Sequence, residues 1–311
     1  MAGSSSSSVT AAAAESDKGI WLPSSLMAAQ LLELEAEGLV VKKTWRNAHG
    51  ACPPQPNDDE RVIFSVFLER GLSLPASAFF IEVLTHYGVQ PHNLHPNSIL
   101  ELSCFTALCE GFLGIRPNLQ LFRHFFHVRK NTLSSGGDLY VTGTVSLVLR
   151  RNATYPRVPV SESVRNWVPT SFYSKNLTAP GIAELPIFSP GAATPIPSWE
   201  AAPEALSEAN VKATRRIEFL MKEGLRGYDL VFCWLERRIQ PLQHHALLMH
   251  QVTSNSKDPM RVSSKHLSST VFTKRMKLLV RERTTGRKLP AMAKAMFTAE
   301  NPCPEVSSTI S

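Results

Sequence analysis

The residues best spaced for chemistry are Cys104, Cys109, His124 and His127, in the order C-x4-C-x14-H-x2-H. Two thiolates and two imidazoles make a tetrahedral zinc set. Three features oppose that reading. Both cysteines fall inside apolar runs, where a thiol packs as a small hydrophobe. The histidine gap is shorter than in a zinc finger, and the segment between the pairs reads as helix rather than hairpin. His92 and His95, flanked by Pro91 and Pro96, read as turn residues. The adjacent His244 and His245 point to different helix faces. No metal site is expected.

Other chemistries find less. There is no G-x-S-x-G elbow, and Cys233 lies in the apolar run LVFCWL, where a thiol is inert. Neither phosphate-loop pattern occurs, and Gly136-Gly137-Asp138 reads as a turn. Nucleotidyl transfer needs carboxylates converging on metal ions. Asp58, Asp59 and Glu60 are consecutive and suit a helix cap. Glu101 and Glu110, nine apart on a helix, diverge by half a turn. Glu82, Asp138, Glu184 and Asp229 are scattered. No residue is nominated as catalytic, and no cofactor or small-molecule ligand is expected.

The remaining candidate is electrostatic. Residues 274–288, KRMKLLVRERTTGRK, carry Lys274, Arg275, Lys277, Arg281, Arg283, Arg287 and Lys288, interrupted by Glu282 alone. Val271, Leu278 and Leu279 add an apolar stripe. Such a helix can contact a phosphate backbone or act as a nuclear-import signal; it can equally be a surface helix with a solvated basic side. Aromatics do not interleave with the charge, so a single-strand stacking platform is not indicated. The charge distribution agrees with nucleic-acid contact. The chain carries a formal +7, yet residues 211–300 hold 18 Lys+Arg against 7 Asp+Glu, a net +11, leaving the rest at −4. Trp167, Phe172 and Tyr173 could stack on bases, but fit a packed core better.

The elements that position these residues follow from punctuation. The 311 residues suit one large domain or two ordinary ones. Residues 1–19 are Ser/Ala-rich and predict a disordered tail. Ser24 and Ser25 are expected to cap a helix ending at Gly38, and Asn57, Asp58 and Asp59 to cap a second, RVIFSVFLERG. A third helix runs from Ser77 to Gly88, a fourth from Pro96 to Gly114, and a fifth, LQLFRHFFHV, from Pro117-Asn118. LYVTGTVSLVLRR alternates and predicts a strand over 139–150, with a second at 171–175. Residues 177–205 hold six prolines and read as a linker. Helices are expected at 211–223, 228–238, 242–251 and 265–283, followed by a disordered tail over 285–311.

The expected architecture is α+β and mainly helical. An N-terminal helical cluster with a small antiparallel sheet spans 20–176, and a basic group of helices spans 206–284. Five cysteines and no leader-like N-terminus point to reduced thiols and an intracellular setting, nucleus or cytoplasm. No apolar run is long enough for a membrane span.

Three stretches carry a family likeness: RVIFSVFLERGLSLPASAFF, YGVQPHNLHPNSIL and SCFTALCEGFLGIRPNLQLFRHFFHVR. Together they resemble the gypsy-type transposase domain of plants, found in retrotransposon-derived reading frames. Weaker agreement extends the resemblance to about residues 20–262, through the Gly-Gly turn, SLVLR, Tyr155-Pro156, the Trp167–Tyr173 cluster and RRIQPLQHHALLMHQ. Ser171 departs from it, standing where the family has a second tryptophan. The resemblance brings no catalytic residues. Together with the basic segment it points to a gag-like, non-catalytic element protein that self-associates as a homo-oligomer through apolar helical surfaces and contacts RNA or DNA through residues 261–294. The alternatives are a transposase or integrase with a dispersed carboxylate site, or a host-adopted interaction protein.

Overall fold

The computed structural model describes residues 20–37, 39–74, 76–131, 134–135, 138–160, 164–177, 184–237 and 268–281. Its elements in chain order are α1 (Ala28–Ala36), β1 (Trp45–Asn47), β2 (Glu60–Phe64), α2 (Ser65–Leu68), α3 (Ala78–Tyr87), α4 (Pro96–Ala107), α5 (Leu119–Phe125), β3 (Phe126–Lys130), β4 (Ser134–Ser135), β5 (Asp138–Leu139), β6 (Val145–Leu149), β7 (Ser171–Lys175), α6 (Pro197–Glu200), α7 (Glu208–Lys222), α8 (Gly227–Arg237) and α9 (Ser269–Leu279). The fold is α+β and mainly helical, with small antiparallel sheets in the order β1-β7-β2, β3-β6 and β4-β5.

Caps set the central helices. Ser77 Oγ accepts from the Phe80 N–H at 3.1 Å to start α3, and Asn118 Oδ1 accepts from the Leu121 N–H at 2.9 Å to start α5. Gly88 and Gly114 end their helices in the left-handed region, at φ 58° and 69°. Before Gly114, α4 loosens into a π-helical turn, Leu108–Leu113, that carries Cys109 into the core. Side chains from these helices form one aromatic ladder. Phe105 meets Phe79, Phe122 and Phe126 at ring-centroid distances of 5.5, 5.2 and 6.4 Å, and Phe126 reaches Tyr155 at 5.0 Å.

Two expected helices are strands in part. Residues 60–64 form β2, all five buried, paired antiparallel with β7 in the register Val62↔Tyr173 and Ile63↔Phe172. Helix survives only over Ser65–Leu68. The reason is tertiary: Val62 and Ile63 are β-branched, and a neighbouring strand with buried faces favours them more than a helix does. The fifth helix stops at Phe125, and the chain goes straight into β3, paired with β6 through Val128↔Leu147. The strand expected over 139–150 pairs with β3 only over Val145–Leu149; Gly143, at φ 68°, turns the chain just before. The strand at 171–175 lies where expected, in a different sheet. Ser24 is not a helix cap either. Its hydroxyl donates to the Ser171 carbonyl at 2.6 Å, and α1 starts with Gln30 Oε1 accepting from the Met27 N–H.

The proline-rich stretch lies on the helical cluster. The Trp21 indole donates to the Pro190 carbonyl (2.9 Å), Asn93 to Gly191 (3.2 Å) and the Trp199 indole to Tyr87 (2.7 Å). Helix α8 then packs along α4. Its first residue, Gly227, lies against the backbone at Arg157 and Val158, where a Cβ would lie 2.0 Å from the Arg157 carbonyl oxygen. One hydrophobic core therefore runs from Trp21 to Val280.

Candidate nucleic-acid interface

Helix α9 begins where Ser268 Oγ accepts from the Val271 N–H at 3.3 Å. It ends where Val280 bridges to Val160 and the Arg281 N–H donates to the Pro159 carbonyl at 3.0 Å. Both ends are thus tied to the fold. Its inner face is apolar: Met276, Leu279 and Val280 are buried, and Phe272 meets Phe232 edge-on at 5.1 Å.

The basic residues divide by their position on the helix. Arg275 turns inward, with only 13% of its side chain exposed. It makes a short ion pair with Glu37 at the end of α1 and a second with Glu69, at 3.4 Å, just past α2. That guanidinium holds α9 to the body of the protein and neutralises two carboxylates. Lys274 and Lys277 point outward, beside Ser269, Thr270 and Thr273 on a shallow open surface. Neither lysine has an ion pair in the described residues. Arg281 is exposed just past the helix end. Arg283, Arg287 and Lys288 lie outside the described residues, as do the helix expected at 242–251 and Glu282.

The would-be zinc set splits. Cys104 and Cys109 are fully buried, and burial first, helped by Glu101 and Cys233, pushes the Cys104 thiol pKa well up. His124 and His127 are half-exposed elsewhere. Among the described residues no three His, Cys, Asp or Glu side chains converge on one point. Trp167, Phe172 and Tyr173 are core residues, with Trp167 packed on Phe64 and Phe67. His92 is buried against the Gly191 carbonyl, and burial lowers its pKa to about 4. No helix among the described residues is long and apolar enough to cross a membrane.

Two groups escaped the sequence reading. Glu37 and Glu69 lie far from Arg275 along the chain, and nothing local marks them as its partners. A second basic group, Arg129, Lys130, Arg150 and Arg151, lies on β3 and just past β6. Its trace in the sequence was the alternation His127-Val128-Arg129, hidden by reading that stretch as helix.

Residues 62–130 match the family model described as "Putative gypsy type transposon". The chain carries a gypsy-type transposon-related domain. The match starts inside β2 and closes at the end of β3, so it covers the four phenylalanines of the aromatic ladder and stops well short of α9. The likeness read from the sequence over about 20–262 is matched in this middle part. No curated protein and no solved structure matched the chain.

Proposed function

We propose that this protein is a non-catalytic, gag-like product of a gypsy-type retrotransposon that binds nucleic acid through the outer face of α9. One observation carries the reading. The helix commits Phe272, Met276, Leu279 and Arg275 to the fold and turns Lys274 and Lys277 to solvent, two charges available for phosphates at no cost in stability. Contacts of this kind are sequence-independent and salt-sensitive, because each phosphate neutralised releases condensed counterions.

The test is affinity for a fluorescent RNA and a DNA duplex over a salt series. Binding should fall steeply with salt, and K274E/K277E should weaken it about 10- to 100-fold and flatten the log–log salt dependence by about two contacts' worth. Arg275 stays out of this variant, since reversing it would break the docking of the helix. Affinity and salt response equal to wild type in the variant would overturn the α9 reading.

Self-association is part of the same proposal. Its surface would be the groove between α1 and α9, lined by Leu26, Leu34, Val271 and Leu278, with Leu278 54% exposed. Sedimentation should then show a concentration-dependent oligomer that L278S dissociates. A wild-type chain that stays monomeric at high concentration rules this out.

A further inference from the structure

The sheet β3–β6 has two unlike faces. Phe126, Val128, Val145 and Leu147 turn inward and are buried. His127 and Arg129 alternate outward, opposite Val148 and Ser146. Arg129 and Lys130 are exposed at the end of β3, and Arg151 is exposed just past β6. Arg150 is fixed between them: its backbone N–H donates to the Phe125 carbonyl at 2.8 Å and its Nε to the Arg123 carbonyl at 2.9 Å. No ion pair neutralises Arg129, Lys130, Arg150 or Arg151 among the described residues. The flanking segment carries two acids, Glu204, held by Arg123 at 2.6 Å, and exposed Glu200, which closes α6.

We infer that this outer face, with the exposed end of the sheet beside it, is a second nucleic-acid surface, contacting phosphates through Arg129 and Arg150 and, at the sheet end, Lys130 and Arg151, with His124 and His127 beside them. The inference rests on the nucleic-acid reading proposed above and adds a site within the matched domain. The composition of the face selects the partner. A protein interface is anchored by aromatic or large apolar side chains. The large hydrophobics exposed among the described residues are Met27, Leu32, Val41, Ile187, Ile196, Phe219 and Leu278, and none lies on this sheet. A polyanion needs only charge and donors, which this face supplies.

The histidines add a distinctive readout. Burial first, and then Arg150, lowers the pKa of His124; burial, then Arg150 and Arg129, lowers that of His127 against an opposing bond to the Val128 carbonyl. Around them stand Arg123, Arg129, Lys130, Arg150 and Arg151, with Glu200 and Glu204 on the flanking segment. Phosphates placed there would offset the arginine repulsion and raise both pKa values. Affinity should therefore rise as pH falls from neutral into the acid range where the histidines take up protons.

The deciding experiment compares R129E/K130E with K274E/K277E in the full chain, each shown by thermal melting to be folded. The probes are the same RNA and duplex, read over salt and pH. The expected result for R129E/K130E is a roughly 10- to 100-fold loss of affinity and a flatter salt dependence. H124Q/H127Q should retain affinity at neutral pH and lose the gain at acid pH. If only K274E/K277E loses binding, this inference falls and the α9 reading stands. If only R129E/K130E loses it, the inference stands and α9 is not the interface. If neither variant changes affinity, both fall.

Discussion

The matched domain, residues 62–130, and helix α9 handle charge in opposite ways. In the domain and at its edge, basic side chains are drawn inward. Arg61 is buried and donates to the Leu185 carbonyl at 3.1 Å. Arg70 is 5% exposed, and burial brings its pKa down to about 10, with Glu69 opposing and Arg275 reinforcing. Arg123 is held by Glu204. Among its basic residues, the exposed ones are Arg129 and Lys130, at the end of β3. In α9 the same residue types divide within one turn: Arg275 goes in, Lys274 and Lys277 stay out. A count of charges along the chain cannot distinguish structural from available ones. The face of the element does.

The widest gap between the two regions should appear on truncating the core. Phe105 is fully buried and touches three other rings, so Phe105→Ala should destabilise by about 3–5 kcal/mol in chemical denaturation. A loss under about 1 kcal/mol would mean that the ladder is not the core.

Next come two effects of similar size. Arg275→Ala removes both ion pairs of α9; because Glu37 and Glu69 are more than a third exposed, the expected loss is about 1–2 kcal/mol. An unchanged melting temperature would show that α9 docks without it. Glu101 tests the domain from the other side. Its Oε2 is sealed without a hydrogen-bond partner although the residue is partly exposed, and burial raises its pKa to about 8, with Arg157 opposing. The unfolded carboxyl titrates near 4.3, so the folded state holds the proton more tightly. Stability should fall as pH rises from about 4.3 to about 8. Glu101→Gln removes that fall and should be about 1–2 kcal/mol more stable than wild type at pH 8, after discounting for partial exposure, and equal to it near pH 4. Parallel stability curves for the two chains would refute the assignment.

Smaller still is Ser77→Ala, which removes the α3 cap and should lose about 1 kcal/mol. At the bottom of the scale, K274E/K277E should change stability by less than about 0.5 kcal/mol while changing nucleic-acid affinity. A large stability loss would show that these lysines belong to the fold.

Much of the helical skeleton was legible because its punctuation is local. Ser77, Asn118, Gly88 and Gly114 act within one turn of themselves, so α3, α4 and the start of α5 follow from the string. The basic character of α9 was legible too, as was the apolar surrounding of Cys104 and Cys109. What misled was Glu60–Phe64 and Phe126–Lys130. Both carry apolar residues at spacings compatible with either period, and both become strands because a distant partner, β7 or β6, offers backbone hydrogen bonds.

The sequence by itself determined the bounds of α3 and the starts of α4 and α5, the apolar mass of the central block and the excess of positive charge in the last third, since each depends on residue type and near neighbours. Only the tertiary structure decided which strands exist, that the proline-rich stretch lies on the helical cluster, and which cations remain for a partner. Those outcomes depend on pairings between residues far apart in the chain. Arg275 with Glu37, 238 positions away, is the clearest of them. No local pattern encodes such a pair, because the energy that selects it arises only when the two surfaces meet.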